Sequence, residues 1–553
     1  MTTSVVPSPD EMRSRRAQMF PALTPAQVAR VARVAKEREF AAGEVLFDEG
    51  ERDVALNVIL EGAVEIVHVH EDREEQITVH GPREFTGEIS LLANRRALVR
   101  GRATEPTRVL RLEPRGLQTL LQTDSELSEV FMRAFILRRM GLFASEFGDV
   151  IVIGSRHSAA TLRIQEFLTR NAHPHRYVDV DRSPDVQSCL DNLHLTVSDI
   201  PIVVCRGEKV LRNPTNAELA DCLGFNAALN PESVRDVVVV GAGPAGLAAA
   251  VYASSEGLDT LVIEATAPGG QAGSSSKIEN YLGFPTGISG QALAQRALTQ
   301  AEKFGAAFAV ARGVTRLHCD DGCLAVELDG GEVVRTRSVV IATGAEYGKL
   351  DVPNLARFEG TGVYYGATFI EAQRCESDEV IVIGGGNSAG QAATFLSGSS
   401  RHVHILVRGA GLAATMSRYL IRRIEETPNI TLHAHTRIVG LAGDTSLEEV
   451  TWLNDATGER TTSPIRHVFS MIGARPNTEW LKGCLKLDEK GFVLTGVDVQ
   501  AHLNGERPRF PFETSRAKVF AVGDVRANSV KRVASGVGEG SVCIQAVHRA
   551  LAE

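Results

Sequence analysis

The hydrophobic and polar positions of residues 1–145 follow two different periods. Stretches such as GEVLFDEGERDVALNVILEGAVEIV alternate with a period of two between glycine turns, which predicts many short strands. The segments LTPAQVARVARVA before them and LQTLLQTDSELSEVFMRAFILRRM after them have the spacing of amphipathic helices. This part of the sequence therefore predicts a β-rich unit flanked by helices.

The pattern changes to strand, helix and strand from about Asp149 onward. DVIVIGS, AATLRIQEFLTRN and HRYVDVD form a first, small unit of this kind, which ends at the polar connector ALNPESVR (228–235). Two longer units follow, DVVVVGAGPAGLAAAVYASSEGLDTLVIEA and EVIVIGGGNSAGQAATFLSGSSRHVHILVR. In each, a buried strand runs through a glycine turn into a helix and a second strand, which predicts two Rossmann-like three-layer α/β domains.

The first glycine turn has the spacing of a dinucleotide-binding fingerprint. Gly241, Gly243 and Gly246 form GxGxxG, in which the first permits the tight turn and the second lets backbone amides approach a pyrophosphate. The third lets the helix pack closely on the strand. Glu264 ends the next strand 18 residues after Gly246, where a carboxylate accepts hydrogen bonds from a ribose. The alternative is a glycine turn of ordinary α/β packing.

The second long unit carries the variant GxGxxA. Gly384, Gly386 and Ala389 hold these positions, with Asn387 and Ser388 between them. As in the first fingerprint, the glycines follow an apolar strand and open a helical stretch. The sequence therefore predicts a second dinucleotide site, separate from the first.

Composition narrows the classes of function. The 553 residues are too many for one core, and the 43% hydrophobic and 23% charged content is typical of a soluble globular protein. A formal charge of −9 gives no reason to expect nucleic acid or an anionic membrane as partner, and the longest apolar runs have strand length. No apolar stretch of signal-peptide length follows the first arginines, so the cytoplasm is expected. Eight cysteines without a CxxC spacing favour a reducing compartment over a disulfide framework.

Further motifs give residues 235–553 a family resemblance. GGQAGSSSKIENYLGFP (269–285), ATGAE (342–346), GARPN (473–477) and VFAVGDV (519–525) appear in that order around the two fingerprints. The arrangement resembles low-molecular-weight thioredoxin reductases and their flavoprotein relatives. It implies an FAD-dependent NAD(P)H oxidoreductase that transfers hydride from nicotinamide to flavin. The residues that the resemblance assigns to FAD are Gly241, Gly243, Gly246, Glu264, Gln271, Asn280, Gly344, Gly523, Asp524, Lys531, Arg532 and Val533.

The resemblance also assigns roles within these motifs. Glu264 would bind the adenosine ribose, and Asp524 the ribityl or phosphate portion of FAD. The amides of GVGEG (536–540), at the N-terminal end of the last helix, would face the isoalloxazine. Lys531 and Arg532 replace the arginine–glutamine pair that the family has before that helix.

The second dinucleotide site would hold NAD(P)H. The residues assigned to it are Gly384, Gly386, Asn387, Ser388, Ala389 and Arg408. NADPH-using relatives carry a basic cluster after the next strand, and only Arg408 matches that cluster in VRGAGLAATMSRYLIRR. A second charge could come from Arg418, Arg422 or Arg423. No acid ends the strand, so NADPH is expected as the coenzyme and NADH is left open.

The segment GVYYGATFIEA (362–372) lacks the cysteines that define thioredoxin reductases. In that family the position reads close to GVSYCATC, and its two cysteines pass electrons from flavin to thioredoxin. Gly366 and Phe369 stand there in this sequence, and neither can form a thiolate. Cys375 is the nearest alternative, although a lone thiol on a helix is more often structural. Cys319 and Cys323, which flank a tight turn, are a weaker alternative.

Residues 148–227 resemble a thioredoxin or glutaredoxin domain. The segment IPIVVC places Pro201 as the cis-proline of that fold. The active turn would be SRHS, in which Ser155 and Ser158 replace both cysteines. A domain of this kind without thiols cannot exchange disulfides, but it can dock a peptide or a glutathione-like ligand against the Pro201 edge.

Residues 1–145 resemble the cyclic-nucleotide-binding β-roll of catabolite activator proteins and of the regulatory subunits of cyclic-nucleotide-dependent kinases. FTGEISLLANRRALV is a version of the phosphate cassette of that family. The resemblance implies that Glu88 binds the ribose 2′-hydroxyl and Arg96 the cyclic phosphate, with Gly87 and Ala97 offering amides. Glu88 and Arg96 are eight residues apart, one fewer than usual. A β-roll kept only for docking or dimerisation is therefore the alternative.

The predicted protein is a multidomain flavoenzyme, expected as a homodimer. Its predicted parts are the β-roll (1–145), a thioredoxin-like domain (148–227), an FAD domain (235–349 and 476–553) and an NAD(P)H domain (350–475). The electron acceptor is left unidentified, with a small redox protein among the candidates, and a cyclic nucleotide is the candidate effector. The alternatives are a thioredoxin-disulfide reductase that uses a non-standard thiol and a signalling flavoprotein with little turnover. Four His-x-His pairs (68/70, 173/175, 402/404 and 433/435) lack a nearby third ligand, so no metal is expected.

Overall fold

The computed structural model describes residues 15–70, 73–92, 95–144, 150–156, 158–182, 199–205, 209–226, 229–319, 324–500, 502–503 and 509–553. His157 of the SRHS turn and Cys323 lie outside these ranges. Within them, no helix is long and apolar enough to cross a membrane.

The first unit (residues 15–144) has the β-rich core that the alternating pattern predicts. Its strands are β1 (Lys36–Phe40), β2 (Val45–Phe47), β3 (Leu56–Glu61), β4 (Val64–His70), β5 (Arg73–His80), β6 (Arg100–Ala103) and β7 (Thr107–Leu112). They pair antiparallel in two sheets, ordered β1-β7-β3 and β2-β6-β4-β5. Its helices are α1 (Arg16–Met19), α2 (Pro25–Val31), α3 (Pro114–Thr123) and α4 (Ser125–Ala144). Phe85, Phe131 and Phe135 are fully buried where helix α4 packs on the sheet, so the core joins strands and helix.

The second unit (residues 150–226) follows the predicted order of elements. These are β8 (Val150–Gly154), α5 (Ala159–Arg170), β9 (Arg176–Asp179), β10 (Ile202–Cys205), β11 (Lys209–Arg212) and α6 (Asn216–Leu223). The strand order is β11-β10-β8-β9, in which β8 and β9 are parallel and the other pairs antiparallel. Ser158 caps α5 by accepting a hydrogen bond from the Thr161 amide, and the Ile200–Pro201 bond is cis.

The third unit contains the first fingerprint in a largely parallel sheet. Its elements up to residue 341 are β12 (Val234–Val240), α7 (Pro244–Ser255), β13 (Thr260–Glu264), α8 (Gly270–Gly273), α9 (Gly290–Lys303), β14 (Ala307–Val310), β15 (Val314–His318), β16 (Leu324–Leu328) and β17 (Val333–Ile341). The strand order is β14-β13-β12-β17-β16-β15, with β15 and β16 antiparallel to their neighbours. Residues 237–239 of β12 are fully buried, as expected for a parallel strand covered on both faces.

The last part of the chain completes the third unit. Its elements are α14 (Gly496–Gln500), β28 (Val519–Ala521) and α15 (Val533–Ala552). Strand β28 pairs in parallel with β17, and α15 packs on α7. A Cβ atom added at Gly540 of α15 would lie 2.2 Å from the carbonyl oxygen of Ala245, so this close approach of two helices requires glycine.

The fourth unit (residues 345–476) contains the second fingerprint. Its strands are β18 (Ala345–Glu346), β19 (Val363–Tyr364), β20 (Glu379–Ile383), β21 (His402–Leu406), β22 (Ile430–His433), β23 (Thr436–Ala442), β24 (Glu449–Asn454), β25 (Arg460–Ser463), β26 (His467–Ser470) and β27 (Arg475–Pro476). Its helices are α10 (Leu355–Phe358), α11 (Phe369–Arg374), α12 (Asn387–Leu396) and α13 (Arg418–Glu426). A parallel sheet, β19-β26-β20-β21-β22, lies beside the antiparallel sheet β23-β24-β25. The short pair β18 and β27 forms the double connection to the third unit.

The structure contains a disulfide that the sequence analysis did not propose. Cys319, at the end of β15, is bonded to Cys484, 165 residues later. Cys323, which the sequence suggested as a partner of Cys319, lies outside the described residues. The sequence could not indicate this pairing because residues so far apart meet only through packing of the third unit.

Candidate functional site

A large cleft lies between the second, third and fourth units. Its volume is about 2380 Å³, and the glycine turn after β12, the segment around α8 and the starts of α12 and α15 line it. Predicted residues that line it are Gly241, Gly243, Glu264, Gln271, Asn280, Gly344, Asn387, Ser388, Gly523, Asp524, Lys531, Arg532 and Val533. The structure thus gathers the predicted FAD residues other than Gly246 around one space, which we call the nucleotide cleft, together with Asn387 and Ser388 of the second site. The other residues predicted for NAD(P)H, Gly384, Gly386, Ala389 and Arg408, do not line it.

The three glycines of the first turn meet different requirements. Gly241 has φ +104°, and a Cβ atom there would lie 2.4 Å from the carbonyl oxygen of Ala342. A Cβ atom at Gly246 would lie 1.9 Å from the carbonyl oxygen of Gly241, so α7 could not approach the turn with any other residue. At Gly243 the nearest atom would be 3.9 Å away, which leaves the N-terminal end of α7 open to an anionic group.

Glu264 supports this turn from the end of β13. Its carboxylate accepts hydrogen bonds from the Ala242 amide (2.7 Å), the Thr266 amide (2.9 Å) and the Thr266 hydroxyl (3.0 Å). A carboxylate has about four acceptor positions, so one remains for a ribose hydroxyl in the cleft. Glu264 therefore has a structural task that the sequence did not show, while its contact with a ribose stays a prediction.

The turn before α15 also lines the cleft, and its Gly523 lies against Ala245 in the first turn of α7. Gly523 has φ +74°, and its amide donates to Glu539 Oε2 (2.7 Å), which also pairs with Arg526. Burial raises the pKa of Asp524 and lowers the pKa of Lys531. Lys531 Nζ donates to the backbone carbonyl of Asp524 (2.5 Å), so the lysine is held against the turn.

The second fingerprint repeats the first in the fourth unit. Gly384 has φ +138°, and a Cβ atom there would lie 2.6 Å from the Met471 carbonyl oxygen. Gly386 precedes α12 with no atom within 4 Å of an added Cβ, and Ala389 is fully buried below the turn. Asn387 Oδ1 accepts a hydrogen bond from the Ser417 amide (2.8 Å), which joins the turn to the start of α13. The start of α12 is thus open to an anionic group, like that of α7.

The arginines proposed for a coenzyme phosphate differ in their surroundings. Arg408 is exposed after β21, at the end of the sheet where the fingerprint lies. Arg418 and Arg422 are exposed on α13. Arg423 instead pairs with Glu279 of the third unit (2.7 Å), so it joins two units.

The first unit contains a second, smaller cavity of about 450 Å³, which we call the N-terminal pocket. Its wall is mainly apolar, from residues such as Phe47, Ile77, Leu98 and Val99. Gly87, Glu88 and Ala97 of the predicted cassette line it, and Arg96 does not. A Cβ atom added at Gly224 of the second unit would lie 2.6 Å from Arg96 Nε, which shows that this side chain points outward.

Arg95, the residue before Arg96, lines the N-terminal pocket instead, and the contact of Arg96 with a cyclic phosphate stays a prediction. The physical reason is that consecutive side chains of an irregular segment point in different directions, so only one of two adjacent arginines can face the pocket. Another buried arginine, Arg138 on α4, donates to the carbonyl oxygens of Met19, Phe85 and Gly87 at 2.7–3.0 Å. Arg138 fixes the cassette to the helix that leads into the second unit.

Comparison with known proteins matches two parts of the chain to family models. Residues 235–540 match the family model described as pyridine nucleotide-disulphide oxidoreductase. The chain belongs to this family. Residues 37–124 match the model of the cyclic nucleotide-binding domain, which confirms the recognition of such a domain in the first unit.

Several thioredoxin reductases are similar to this member of the pyridine nucleotide-disulphide oxidoreductase family. NADPH-dependent thioredoxin reductase 3 of Arabidopsis thaliana is 30% identical over 362 residues, which cover 62% of this chain and slightly under two thirds (65%) of that protein. Thioredoxin reductase of Treponema pallidum is 34% identical over 57% of this chain and 96% of its own. The crystal structure of Lactococcus lactis thioredoxin reductase (FR conformation) has 28% identity and a TM-score of 0.52, covering 57% of this chain and 99% of that one.

Family membership confirms the predicted class of enzyme. The protein is an FAD-dependent NAD(P)H oxidoreductase, and FAD and NADPH are the cofactors of its family. The residues present fit FAD, because Gly243 leaves the N-terminal end of α7 open and Glu264 keeps an acceptor position beside it. The predicted roles of individual residues stay predictions.

The dithiol positions of the family have no thiol in this chain. Gly366 lies near Ser274, and a Cβ atom added there would be 3.6 Å from the Ser274 Cβ. Phe369 is the first residue of α11. Cys375 is fully buried, its Sγ donates to the Glu371 carbonyl oxygen (3.1 Å), and burial raises the pKa of its thiol. The described thiol nearest in sequence to these positions is thus neither exposed nor readily ionised.

Sequence reasoning missed a pair of carboxyl groups beside these positions. Glu166 of α5 hydrogen-bonds Glu371 of α11, and burial, followed by this bond, raises the pKa of Glu166 to about 9. Burial thus favours the protonated form of a carboxyl group in this pair. No sequence signal marks it, because RIQEFLTR is an ordinary amphipathic helix pattern.

Helix α5 also joins the second unit to both dinucleotide-binding units. Leu162 belongs to a hydrophobic core cluster made mostly of residues of the fourth unit, among them Ala367 and Ala372. Arg170 Nη2 donates to the carbonyl oxygens of Ala267 (3.0 Å) and Gly270 (3.1 Å) in the third unit. The second unit therefore bridges the two units that carry the fingerprints.

Proposed function

We propose that this enzyme uses NADPH to reduce an acceptor that enters the nucleotide cleft, without a protein dithiol as an intermediate carrier. The observation that carries the proposal is that Gly366 and Phe369 replace both dithiol positions in a chain that keeps both fingerprints, with Gly366 in the lining of the cleft. FAD, when bound, supplies the two-electron chemistry that no side chain of the cleft offers.

The residues of the cleft would bind and orient the two dinucleotides. Gly241, Gly243 and Gly246 would place a pyrophosphate at the start of α7, with Glu264 at the adjoining ribose. The FAD contacts on other segments would come from Gln271, Asn280, Gly344, Gly523, Asp524, Lys531, Arg532 and Val533. The turn from Gly384 to Ala389 would place NADPH at the start of α12, with Arg408 near its 2′-phosphate.

The geometry of the first and second units supports the proposed assignment of each. The second unit has a parallel pair with two antiparallel strands beside it, which supports a thioredoxin-like domain without its cysteines. The N-terminal pocket supports a cyclic nucleotide as effector, with Arg95 in the role predicted for Arg96. The four domain boundaries, a homodimer and a cytoplasmic location stay predictions of the sequence.

The test is anaerobic reduction of the flavoprotein, followed by an acceptor screen. NADPH is expected to bleach the flavin absorbance near 450 nm in a single turnover. The reduced protein is then mixed with a benzoquinone, a naphthoquinone, oxygen and oxidised thioredoxin. Reoxidation by a small acceptor with none by thioredoxin supports the proposal, and reoxidation by thioredoxin alone contradicts it.

A second candidate function is a redox-sensing protein with little turnover. The observation that favours it is the bridge made by Leu162 and Arg170, because thioredoxin reductases must rotate their NAD(P)H domain during catalysis. Such a rotation would occur at the two connections between the third and fourth units, near Lys349–Pro353 and Gly473–Pro476, and it could not take place while this bridge holds. Fast single-turnover reduction with slow turnover toward every acceptor would support this candidate.

Arg408→Ala is expected to bring NADPH and NADH close to parity. Arg408 supplies part of the usual 2′-phosphate contact, and one charge-assisted hydrogen bond contributes about 1.5–3 kcal/mol. The unaltered protein is therefore expected to prefer NADPH by about ten- to a hundredfold in kcat/KM for flavin reduction. Arg401→Ala is the matched control, because Arg401 is exposed at the opposite end of β21 and pairs with Glu379. If the Arg408→Ala variant keeps the full preference for NADPH over NADH, Arg408 does not bind the 2′-phosphate. Arg418 and Arg422 would then be the next candidates for that contact.

A further inference from the structure

Four charged side chains form a buried cluster where the first and third units meet. Arg95 Nη2 lies 3.5 Å from Glu302 Oε1, and Arg139 Nη1 lies 3.6 Å from Glu88 Oε2. The most exposed of these side chains, Arg95, is only 12% exposed. Glu88, Arg95 and Arg139 belong to the first unit, whereas Glu302 lies at the end of α9 in the third. Two positive and two negative groups thus neutralise one another across a domain boundary.

The cluster is also part of the wall of the N-terminal pocket. Glu88 and Arg95 line the pocket, and Glu302 contacts Arg95 without lining the pocket itself. The Arg95 guanidinium lies 5.1 Å from the ring centre of Phe225 in the second unit. Arg139 Nε donates to the Ala172 carbonyl oxygen in the same unit (3.1 Å). A ligand that engages Arg95 therefore acts on a junction of three units.

Glu302 is an incomplete partner for Arg95. Its Oε1 atom is buried and has no hydrogen-bond partner, so the contact with Arg95 is an ion pair without hydrogen-bond geometry. Burial raises the pKa of Glu302, which shows that the surroundings disfavour its charge. A phosphate in the pocket can offer Arg95 the charge-assisted hydrogen bonds that Glu302 does not make.

We propose that Glu302 is an internal competitor for the anion-binding arginine of the N-terminal pocket. A ligand that carries a phosphate next to a flat, apolar ring takes Arg95 from Glu302 and so loosens the contact between the first and third units. A cyclic purine nucleotide suits this pocket, which has a volume of about 450 Å³. The apolar wall suits the purine ring, and Arg95, the one arginine of the cassette in the lining, suits the phosphate. The inference rests on one part of the proposed function, namely that a cyclic nucleotide is the effector of this enzyme.

The competition gives the ligand a route to the nucleotide cleft. Glu302 ends the helix that begins at Gly290, and the start of this helix contacts the second unit through Gln291 and Gln295. When Arg95 changes partner, α9 loses its ion pair to the first unit. The ligand therefore favours the arrangement in which that ion pair is broken. The size of the effect is set by how much more tightly the ligand binds that arrangement than the one with the ion pair intact.

The test compares cyclic AMP and cyclic GMP binding to the full chain by calorimetry. Glu302→Gln keeps the shape of the side chain but removes the competing charge, so we expect binding about tenfold tighter than in the unaltered protein. Arg95→Gln is expected to weaken binding by at least about tenfold, whereas Arg96→Gln stays within about twofold. Glu332→Gln, in an exposed hairpin, is the charge-matched control. Flavin reduction by NADPH is measured in the same proteins with and without the nucleotide.

The outcomes separate this inference from the proposed function. In the unaltered protein the nucleotide should change the rate of flavin reduction severalfold, and in Glu302→Gln that response should be lost. Binding that is equal or weaker in Glu302→Gln overturns the competition alone. Loss of binding in Arg96→Gln with retention in Arg95→Gln overturns the assignment of the anion site. If neither nucleotide gives binding heat with the unaltered protein or with Glu302→Gln, the proposal that a cyclic nucleotide binds in the N-terminal pocket is wrong. The proposed oxidoreductase function is then still tested separately, by reduction of the flavin with NADPH.

Discussion

Gly246→Val is expected to purify without bound FAD. The Cβ atom alone would lie 1.9 Å from the carbonyl oxygen of Gly241 and 3.2 Å from the Ala342 Cβ. The first of these neighbours is backbone, so the glycine turn itself would have to move by more than an ångström. That movement would displace the amides at the start of α7, on which pyrophosphate binding depends.

The measurement is the ratio of flavin absorbance to protein absorbance after incubation with excess FAD. Gly330→Val is the matched control, because Gly330 lies in an exposed turn where the nearest atom to an added Cβ is a flexible side-chain oxygen at 3.4 Å. Circular dichroism checks that both variants are folded. A folded Gly246→Val protein with a full complement of FAD would refute the assignment of this turn to FAD.

Reduction of thioredoxin or of an aromatic disulfide by NADPH is expected to stay at the rate without enzyme. Disulfide exchange requires a thiolate, and Gly366 and Phe369 cannot provide one. Cys375 cannot replace them, because it is fully buried and its environment raises the pKa of the thiol. The loss should be complete, because the chemical group that carries the reaction is missing.

The same preparation must first bleach its flavin with NADPH, which shows that the electron donor side works. Cys375→Ser is the matched variant, and it should behave like the unaltered protein in both assays. Robust disulfide reduction that survives Cys375→Ser would point to another thiol. Cys319→Ser and Cys484→Ser would then be the next variants, because these two residues form the disulfide of the third unit.

The features that the sequence predicted are those with strictly local causes. Gly241 and Gly384 both have positive φ, and each would clash with backbone if it carried a side chain. Because only glycine meets these requirements, glycines occur at a fixed spacing after an apolar strand. This spacing can be seen in a single sequence. The positions of both fingerprints, and the absence of the dithiol at Gly366, could therefore be predicted.

The features that the sequence did not predict are set by contacts between units. Glu302 and Glu166 lie on helices with ordinary amphipathic patterns, and each is buried only because another unit packs on it. The choice between Arg95 and Arg96 depends on the direction of one irregular segment, which hydrophobic periodicity does not encode. The bond between Cys319 and Cys484 likewise depends on the packing of distant segments.

The divided third unit has a consequence for how the protein is made. Strand β28 and helix α15 complete the sheet and the cleft wall. They are synthesised late, because β17 ends at residue 341 and β28 begins about 180 residues later, at residue 519. During translation the first and second units emerge whole, as does the fourth, whereas the FAD site stays open on one side. The ribosome therefore has to pass Gly523 and the start of α15 before FAD can bind. Until then residues 339–341 of β17, which pair with β28 in the complete chain, lack a neighbouring strand on one side.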